Sequence, residues 1–140
     1  MGCREILIVD DEIAPRESIR TVLKDKYTVV TASGVEEALK YLAENPVDVV
    51  ILDFKLPKID GITALLEIKE RYPKTEIILL TAYVSPTIFK KVLELGAFGC
   101  LIKPFDTNKL LDIVDKALKN NSRIKSADYK INKLRDTESA

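Results

Sequence analysis

Val47-Asp48-Val49-Val50-Ile51-Leu52-Asp53 is the stretch that decides the fold. It is aliphatic and β-branched almost throughout, without the polar–apolar alternation of a strand that has one wet face. A strand of this kind is buried on both faces, which is the signature of a parallel sheet covered by helices on each side. It also ends abruptly in an acid. Pro46 separates it from an amphipathic stretch reaching back to Ser33, read as an N-cap with Glu36 completing a capping box, for a helix up to Glu44.

Further out, the same alternation repeats. Ile6-Leu7-Ile8-Val9 reads as a first strand, and a helix is predicted over 15–24, with Pro15 in its first turn and Ile19, Val22 and Leu23 facing inward. Residues 27–31 form a second strand rich in β-branched residues. Beyond the deciding stretch come a loop over 55–61, a helix over 62–71 with Leu65, Leu66 and Ile68 apolar, and a strand over 77–80. A helix over 87–95 stopped by Gly96, a short strand over 100–102 and a last helix from Asp106 through Leu110, Leu111, Val114 and Leu118 complete the pattern. Five strand–helix units are too few for an eight-unit barrel. They imply an α/β fold: an open, doubly wound, five-stranded parallel sheet in the flavodoxin-like order 2-1-3-4-5, with helices on both faces.

The chain has 140 residues, 46% of them hydrophobic, enough for one compact domain over 4–120 without metal or disulfide staples. Residues 121–140 are read as a linker or a helical extension of the last helix. Lys and Arg total 22, as do Asp and Glu, so no global field favours nucleic acid or an acidic membrane surface. Cys3 and Cys100 are too few for a disulfide framework, lack metal-ligand spacing and suit a reducing compartment. The apolar run over 6–9 is too short for a signal segment, and Ile6 stands where a myristoylation pattern starting at Gly2 needs Ser or Thr. A cytoplasmic protein, without direct nucleic-acid or membrane binding by this segment, is expected. The chain has no histidine, which removes Ser-His-Asp and Cys-His catalysis and histidine metal sites.

Parallel strands present their carboxyl ends at one edge, where ligands bind. The residues just after the strands are Asp10 and Asp11, then Asp53, Thr81 and Lys103, so three carboxylates, a hydroxyl and an amine are expected to converge. Clustered carboxylates repel one another unless a cation intervenes, and an all-oxygen set suits Mg²⁺. Asp10 and Asp11 would hold it directly or through water, Asp53 would lend one carboxyl oxygen, and the backbone carbonyl of Lys55 is a candidate further ligand. An Asp carboxylate is also a nucleophile towards phosphorus. With Asp53 attacking, the metal and Lys103 would offset charge on the transferring oxygens, and Thr81 would donate a hydrogen bond. Taken singly, Asp11 reads equally as a helix cap, Asp53 as a loop acid, Thr81 as a strand-end residue and Lys103-Pro104 as a strand terminus. The set is specific where its members are not.

The pattern Val9-Asp10-Asp11-Glu12, Leu52-Asp53, Leu56-Pro57-Lys58-Ile59-Asp60-Gly61, Thr81-Ala82 and Lys103-Pro104-Phe105 resembles two-component response regulator receiver domains of the CheY-like superfamily, over about residues 4–120. The resemblance implies phosphoryl transfer to Asp53 from a sensor histidine kinase or a histidine phosphotransfer protein. It implies direct Mg²⁺ ligation by Asp11, with Asp10 acting mainly through water. It makes Thr81 the switch residue and Lys103 the phosphate-contacting lysine, with a changed surface on the fourth helix, fifth strand and fifth helix. The family often has Tyr or Phe three residues before that lysine; here it is Cys100, read as a small buried core residue. Phe98 would lie on the same side of an extended strand and is the candidate substitute. Lys55 and Tyr83 hold positions that flank the phosphoryl group in this family, so slow hydrolysis is expected.

In the tail, Leu110, Ala117, Ile124 and Ile131 alternate with Ile113, Asn120, Ala127 and Leu134 at heptad spacing. Only about two heptads lie beyond the domain, and a homodimer through the last helix and tail is the corresponding expectation. An output domain beyond the tail fits, as does a single-domain phosphorelay protein. A phosphatase of the haloacid-dehalogenase kind wants an acid two residues after its nucleophile, where Lys55 stands, and a cap domain for which there is no room. A phosphorylation-independent interaction module would not need Asp10, Asp11, Asp53, Thr81 and Lys103 together. Nucleotide or flavin binding lacks a Gly-rich loop after the first strand, where Asp10 and Asp11 would repel phosphate.

Overall fold

The computed structural model describes residues 4–56 and 59–121. Ten elements alternate along the chain: β1 (Glu5–Val9), α1 (Ile13–Leu23), β2 (Thr28–Ala32), α2 (Val35–Glu44), β3 (Val49–Asp53), α3 (Gly61–Arg71), β4 (Glu76–Thr81), α4 (Pro86–Glu94), β5 (Gly99–Ile102) and α5 (Thr107–Asn120). The strands form one parallel sheet in the order β2-β1-β3-β4-β5, as the sequence implied.

All five residues of β3 are buried. Val50 and Leu52 pack with α2, α3 and α4 through Leu42, Leu65, Ile68 and Val92. Val49 and Ile51 face the other layer, against Ile19 and Leu23 of α1 and Leu110 and Val114 of α5. This two-sided burial removes any need for alternation in the sequence. Each aliphatic side chain buried there contributes about 1.5–3 kcal/mol.

Register carries the chemistry to one level. Val9 pairs with Leu52, Asp53 with Leu80, and Thr81 with Ile102. Asp53 and Thr81 prove to be the last residues of their strands, rather than the first beyond them as expected. The ladder runs one step further, since Phe54 N–H donates to the Leu80 carbonyl and Lys103 N–H to that of Thr81, each at 2.8 Å.

The expected capping box at Ser33 is displaced. The N-cap of α2 is Gly34, which offers no side chain. Glu37, not Glu36, reaches back, its Oε1 accepting from Ser33 N–H at 2.7 Å and from the Ser33 hydroxyl at 2.9 Å. The helix starts one residue later than read, so the third helical position falls on Glu37. By contrast, Asp60, Ser85 and Asp106 cap α3, α4 and α5 through Thr63, Ile88 and Lys109 N–H groups.

One glycine shapes the loop beside β3. A Cβ on Gly61 would stand 2.7–2.9 Å from Phe54 atoms, so the chain can fold back over Phe54 only without a side chain there. Gly61 N–H donates to the Phe54 carbonyl at 2.9 Å, closing this loop directly after Asp53. Helix α5 ends at Asn120, with Asn121 in extended backbone. Cys3, Pro57, Lys58 and the heptad positions Ile124, Ala127, Ile131 and Leu134 lie outside the described residues, as does the expected linker or extension beyond Asn121. Among the described residues, no helix is long and apolar enough to cross a membrane.

Candidate functional site

Asp10 leaves β1 fully buried, and nearly all its polar atoms are fixed. Its N–H donates to the Ala32 carbonyl at 3.1 Å. Its Oδ1 accepts from Glu12 N–H at 2.9 Å, and its carbonyl accepts from Arg16 Nη1 at 3.0 Å. Only Oδ2 is enclosed without a hydrogen-bond partner. Asp11, next in the chain, is exposed.

Asp53 closes β3 and is 4% exposed. One carboxyl oxygen from each of Asp10, Asp11 and Asp53 lies within 4.8 Å of the others. Burial raises the pKa of Asp53, and the charge and close approach of the Asp10 carboxyl raise it further. Lys55 N–H, donating to Oδ1 at 3.3 Å, and the Lys103 ammonium, 3.7 Å from the same oxygen, pull it the other way. Of Lys55, the backbone N–H is thus the group in contact with Asp53, and the residue pairs across the loop with Asp60.

The donor set fits a hard divalent cation. Three carboxylates meet with no nitrogen or sulfur ligand among them, and one buried oxygen has no partner. The repulsion felt by Asp53 is what a cation would relieve. Residues separated by more than forty positions in the chain therefore meet as the strand-end reading expected.

Thr81 is buried near the end of β4, but its hydroxyl is turned to the following loop. Oγ1 donates to the Tyr83 carbonyl at 2.9 Å and accepts from Tyr83 N–H at 3.3 Å. Its hydroxyl is therefore engaged by backbone two residues on. The Tyr83 side chain is 76% exposed.

The expectation for Phe98 is overturned. Phe98 packs with the α1–α5 layer, whereas Cys100 packs with the α2–α3–α4 layer. Strand β5 begins only at Gly99, so the two-residue alternation does not extend back to Phe98. Cys100 is half-buried rather than fully buried, and burial pushes its thiol pKa up. A cavity of about 570 Å³ opens between α2 and the β3–α3 loop, lined by Val35, Leu39, Leu56 and Ile59. It includes none of the converging carboxylates, which sit at the carboxyl edge of the sheet.

Sequence reading missed Arg16. Its guanidinium fixes the Asp10 carbonyl, and its Nε is enclosed without a partner. The signal was present: a cation in the opening turn of a helix sits at the end where the helix dipole disfavours it.

A family model for the response regulator receiver domain matches residues 6–115. The regulatory protein AtoC of Escherichia coli is 38% identical over 118 residues, which is 84% of this chain and 26% of AtoC. The chain spans about a quarter of the length of the curated relatives it matches. The chemotaxis protein CheY4 of Vibrio cholerae superposes with a TM-score of 0.79 at 32% identity, covering 84% of this chain and 100% of CheY4. The beryllofluoride-activated NtrC4 receiver domain, solved as a dimer, gives 0.78 at 31% identity, covering 83% of this chain and 97% of that one. With the sheet order, the acidic cradle and these likenesses agreeing, the chain belongs to the response regulator receiver domain family, the signalling modules of two-component systems.

Proposed function

We propose that Asp53 is the phosphoacceptor of this receiver, charged from a phosphohistidine on a sensor histidine kinase or a histidine phosphotransfer protein. The observation that carries the proposal is the meeting of Asp10, Asp11 and Asp53 oxygens within 4.8 Å, with Lys103 Nζ 3.7 Å from Asp53 Oδ1. A carboxylate oxygen of Asp53 attacks phosphorus, the P–N bond of the phosphohistidine breaks, and the departing imidazole takes up a proton. Asp10, Asp11, Asp53 and the Lys55 carbonyl would hold Mg²⁺, which would supply neutralisation of charge on the transferring oxygens. Lys103 adds a second positive charge beside Asp53, and burial keeps competing water from the Asp53 carboxylate.

Once phosphorylated, Asp53 offers Thr81 a better acceptor than the Tyr83 carbonyl. The hydroxyl turns inward, the loop after β4 follows, and the surface of α4, β5 and α5 changes its partner preference. This is a shift between two conformers, driven by the phosphoryl group contacting one better than the other. Cys100 cannot supply the ring movement that an aromatic residue would, so Thr81 and the loop carry the switch. Beyond catalysing its own phosphorylation and dephosphorylation, the domain turns over no external substrate. The setting is cytoplasmic, and a homodimer through α5 and the tail is the assembly that the heptad spacing supports.

Incubation with Mg²⁺ and a small acyl phosphate, followed by intact mass, tests the proposal. The wild-type chain gains one phosphoryl group, and Asp53→Asn gains none. Equal gain by both would place the acceptor elsewhere.

A further inference from the structure

Two buried side-chain polar atoms among the described residues have no hydrogen-bond partner, Asp10 Oδ2 and Arg16 Nε. They belong to residues that are themselves bonded, since Arg16 Nη1 donates to the Asp10 carbonyl. Chance would scatter such atoms. Their coincidence suggests that the acidic cradle and the arginine are parts of one device.

Arg16 also stands in an unfavourable place for a cation. Helix α1 has no side-chain cap hydrogen bond and no acid in its first turn, its nearest acids being the N-cap residue Glu12 and Glu17. On the neighbouring α2, Glu37 is one carboxylate that feels the Arg16 charge. The carboxyl of Glu37 is held below the usual carboxylate range first by the Ser33 N–H and hydroxyl, with Arg16 a smaller contributor. Through its bond to the Asp10 carbonyl, the arginine ties α1 to the turn that carries Asp10 and Asp11.

That turn decides where Asp10 Oδ2 lies. The main chain of Asp10 is held on one side by the Ala32 carbonyl and on the other by Arg16, and Glu12 N–H locks the carboxyl rotation through Oδ1. With those bonds made, Oδ2 is the one polar atom of Asp10 without a partner. We propose that Arg16 is a positioning residue for the metal site: by fixing the Asp10 peptide it orients the carboxylates of the β1–α1 turn for Mg²⁺. The inference rests on the proposed function, because it takes the acidic cradle to be a cation site.

Geometry and charge can be told apart by comparing two ions of equal charge. Mg²⁺ demands near-ideal octahedral ligation, whereas Ca²⁺ tolerates irregular and variable coordination. Loss of a positive charge near the site shifts both affinities alike; loss of ligand orientation falls mainly on Mg²⁺. Calorimetric titration of the unphosphorylated full chain with each ion reads this without any activity assay. Circular dichroism and melting in EDTA verify the fold of each variant.

For Arg16→Ala, Mg²⁺ affinity is expected to fall about ten-fold, the lower end of what outer-shell substitutions do, and Ca²⁺ affinity by less than about three-fold. Arg16→Lys keeps the charge but not the planar fork, and is expected to lie between wild type and alanine in its Mg²⁺-to-Ca²⁺ ratio. It carries the same test if the alanine variant does not fold. An unchanged ratio, whether both affinities move together or neither moves, overturns the role of Arg16 while leaving the cation site intact. A wild-type chain that takes up neither ion overturns the proposed function and this role with it.

Discussion

The two edges of the sheet each hold a buried aspartate on or beside the same strand, with opposite outcomes. At the amino edge, Asp48 Oδ2 accepts from Glu5 N–H at 2.9 Å. Around it, Asn121 Nδ2 donates to the carbonyls of Asp48 and Lys74 at 2.8 and 2.9 Å, and the Thr75 hydroxyl donates to the Val47 carbonyl at 2.9 Å. Lys69 Nζ closes the next turn on the carbonyls of Thr75 and Pro73, and Asn120 reaches Glu76. The Tyr41 hydroxyl donates to Glu5, and burial together with that carboxylate pushes its pKa up to about 12. At the carboxyl edge, Asp53 and Asp10 press against each other, and one oxygen of Asp10 has no partner. Buried polar groups that the chain satisfies itself hold a fold together; those it leaves opposed invite an ion.

The contrast breaks most visibly under substitution. Asp53→Asn is expected to abolish phosphoryl uptake from an acyl phosphate, whereas Asp48→Asn keeps it, both read by intact mass. Were the two variants to behave alike, the edges would not be functionally distinct. Asn121→Ala should cost about 1–3 kcal/mol in denaturant unfolding, because the buried Asp48 carbonyl and the partly buried bond to the Lys74 carbonyl lose their side-chain donor, and should leave phosphoryl uptake unchanged. A neutral result there would mean that the amino edge does not depend on this clamp.

Cation and proton should compete at one edge only. The native pKa of Asp53 lies above its ordinary value of 3.8, so the folded metal-free chain holds that proton more tightly than the unfolded chain does. The contribution of Asp53 to stability is therefore largest below 3.8 and is lost as pH rises through the raised native value. Bound Mg²⁺ should restore it, adding about 2.7 kcal/mol at a hundred times its Kd. Its affinity should begin to fall, on acidification, at a higher pH than an ordinary aspartate would give. Asp53→Asn should make the metal-free protein more stable by about 1 kcal/mol and remove most of the Mg²⁺ effect on melting. A variant that melts below wild type without metal would contradict the repulsion.

The smallest expected effect concerns Lys55 and Tyr83, both exposed beside the site. If their side chains together restrict water at the phosphoryl group, Lys55→Ala with Tyr83→Ala should shorten the phosphoaspartate lifetime several-fold in a phosphate-release assay. An unchanged lifetime would mean that both simply point to solvent.

Much of this is legible in the sequence. The unbroken apolar run of β3 announced burial on both faces, and that burial, through the parallel topology, brought Asp10, Asp53, Thr81 and Lys103 to one edge. What escaped depended on contacts between segments. Whether Glu36 or Glu37 caps α2 turns on a one-residue shift in helix start, which periodicity does not resolve. The face taken by Phe98 depends on where β5 begins, a matter of pairing with β4 rather than of local pattern. The part played by Arg16 rests on its bond to the Asp10 carbonyl across the β1–α1 turn. The amino-edge clamp joins Asn121 to Asp48 across 73 positions, beyond any local signal.

The most direct test locates the acyl phosphate itself. After incubation with an acyl-phosphate donor, with Mg²⁺ or with EDTA, borohydride reduction converts a phosphorylated aspartate to homoserine, which peptide mass spectrometry can place. Homoserine at position 53, formed with Mg²⁺ and not with EDTA, is the predicted result. Homoserine at another aspartate, or at none, or equal amounts without the metal, would contradict the account.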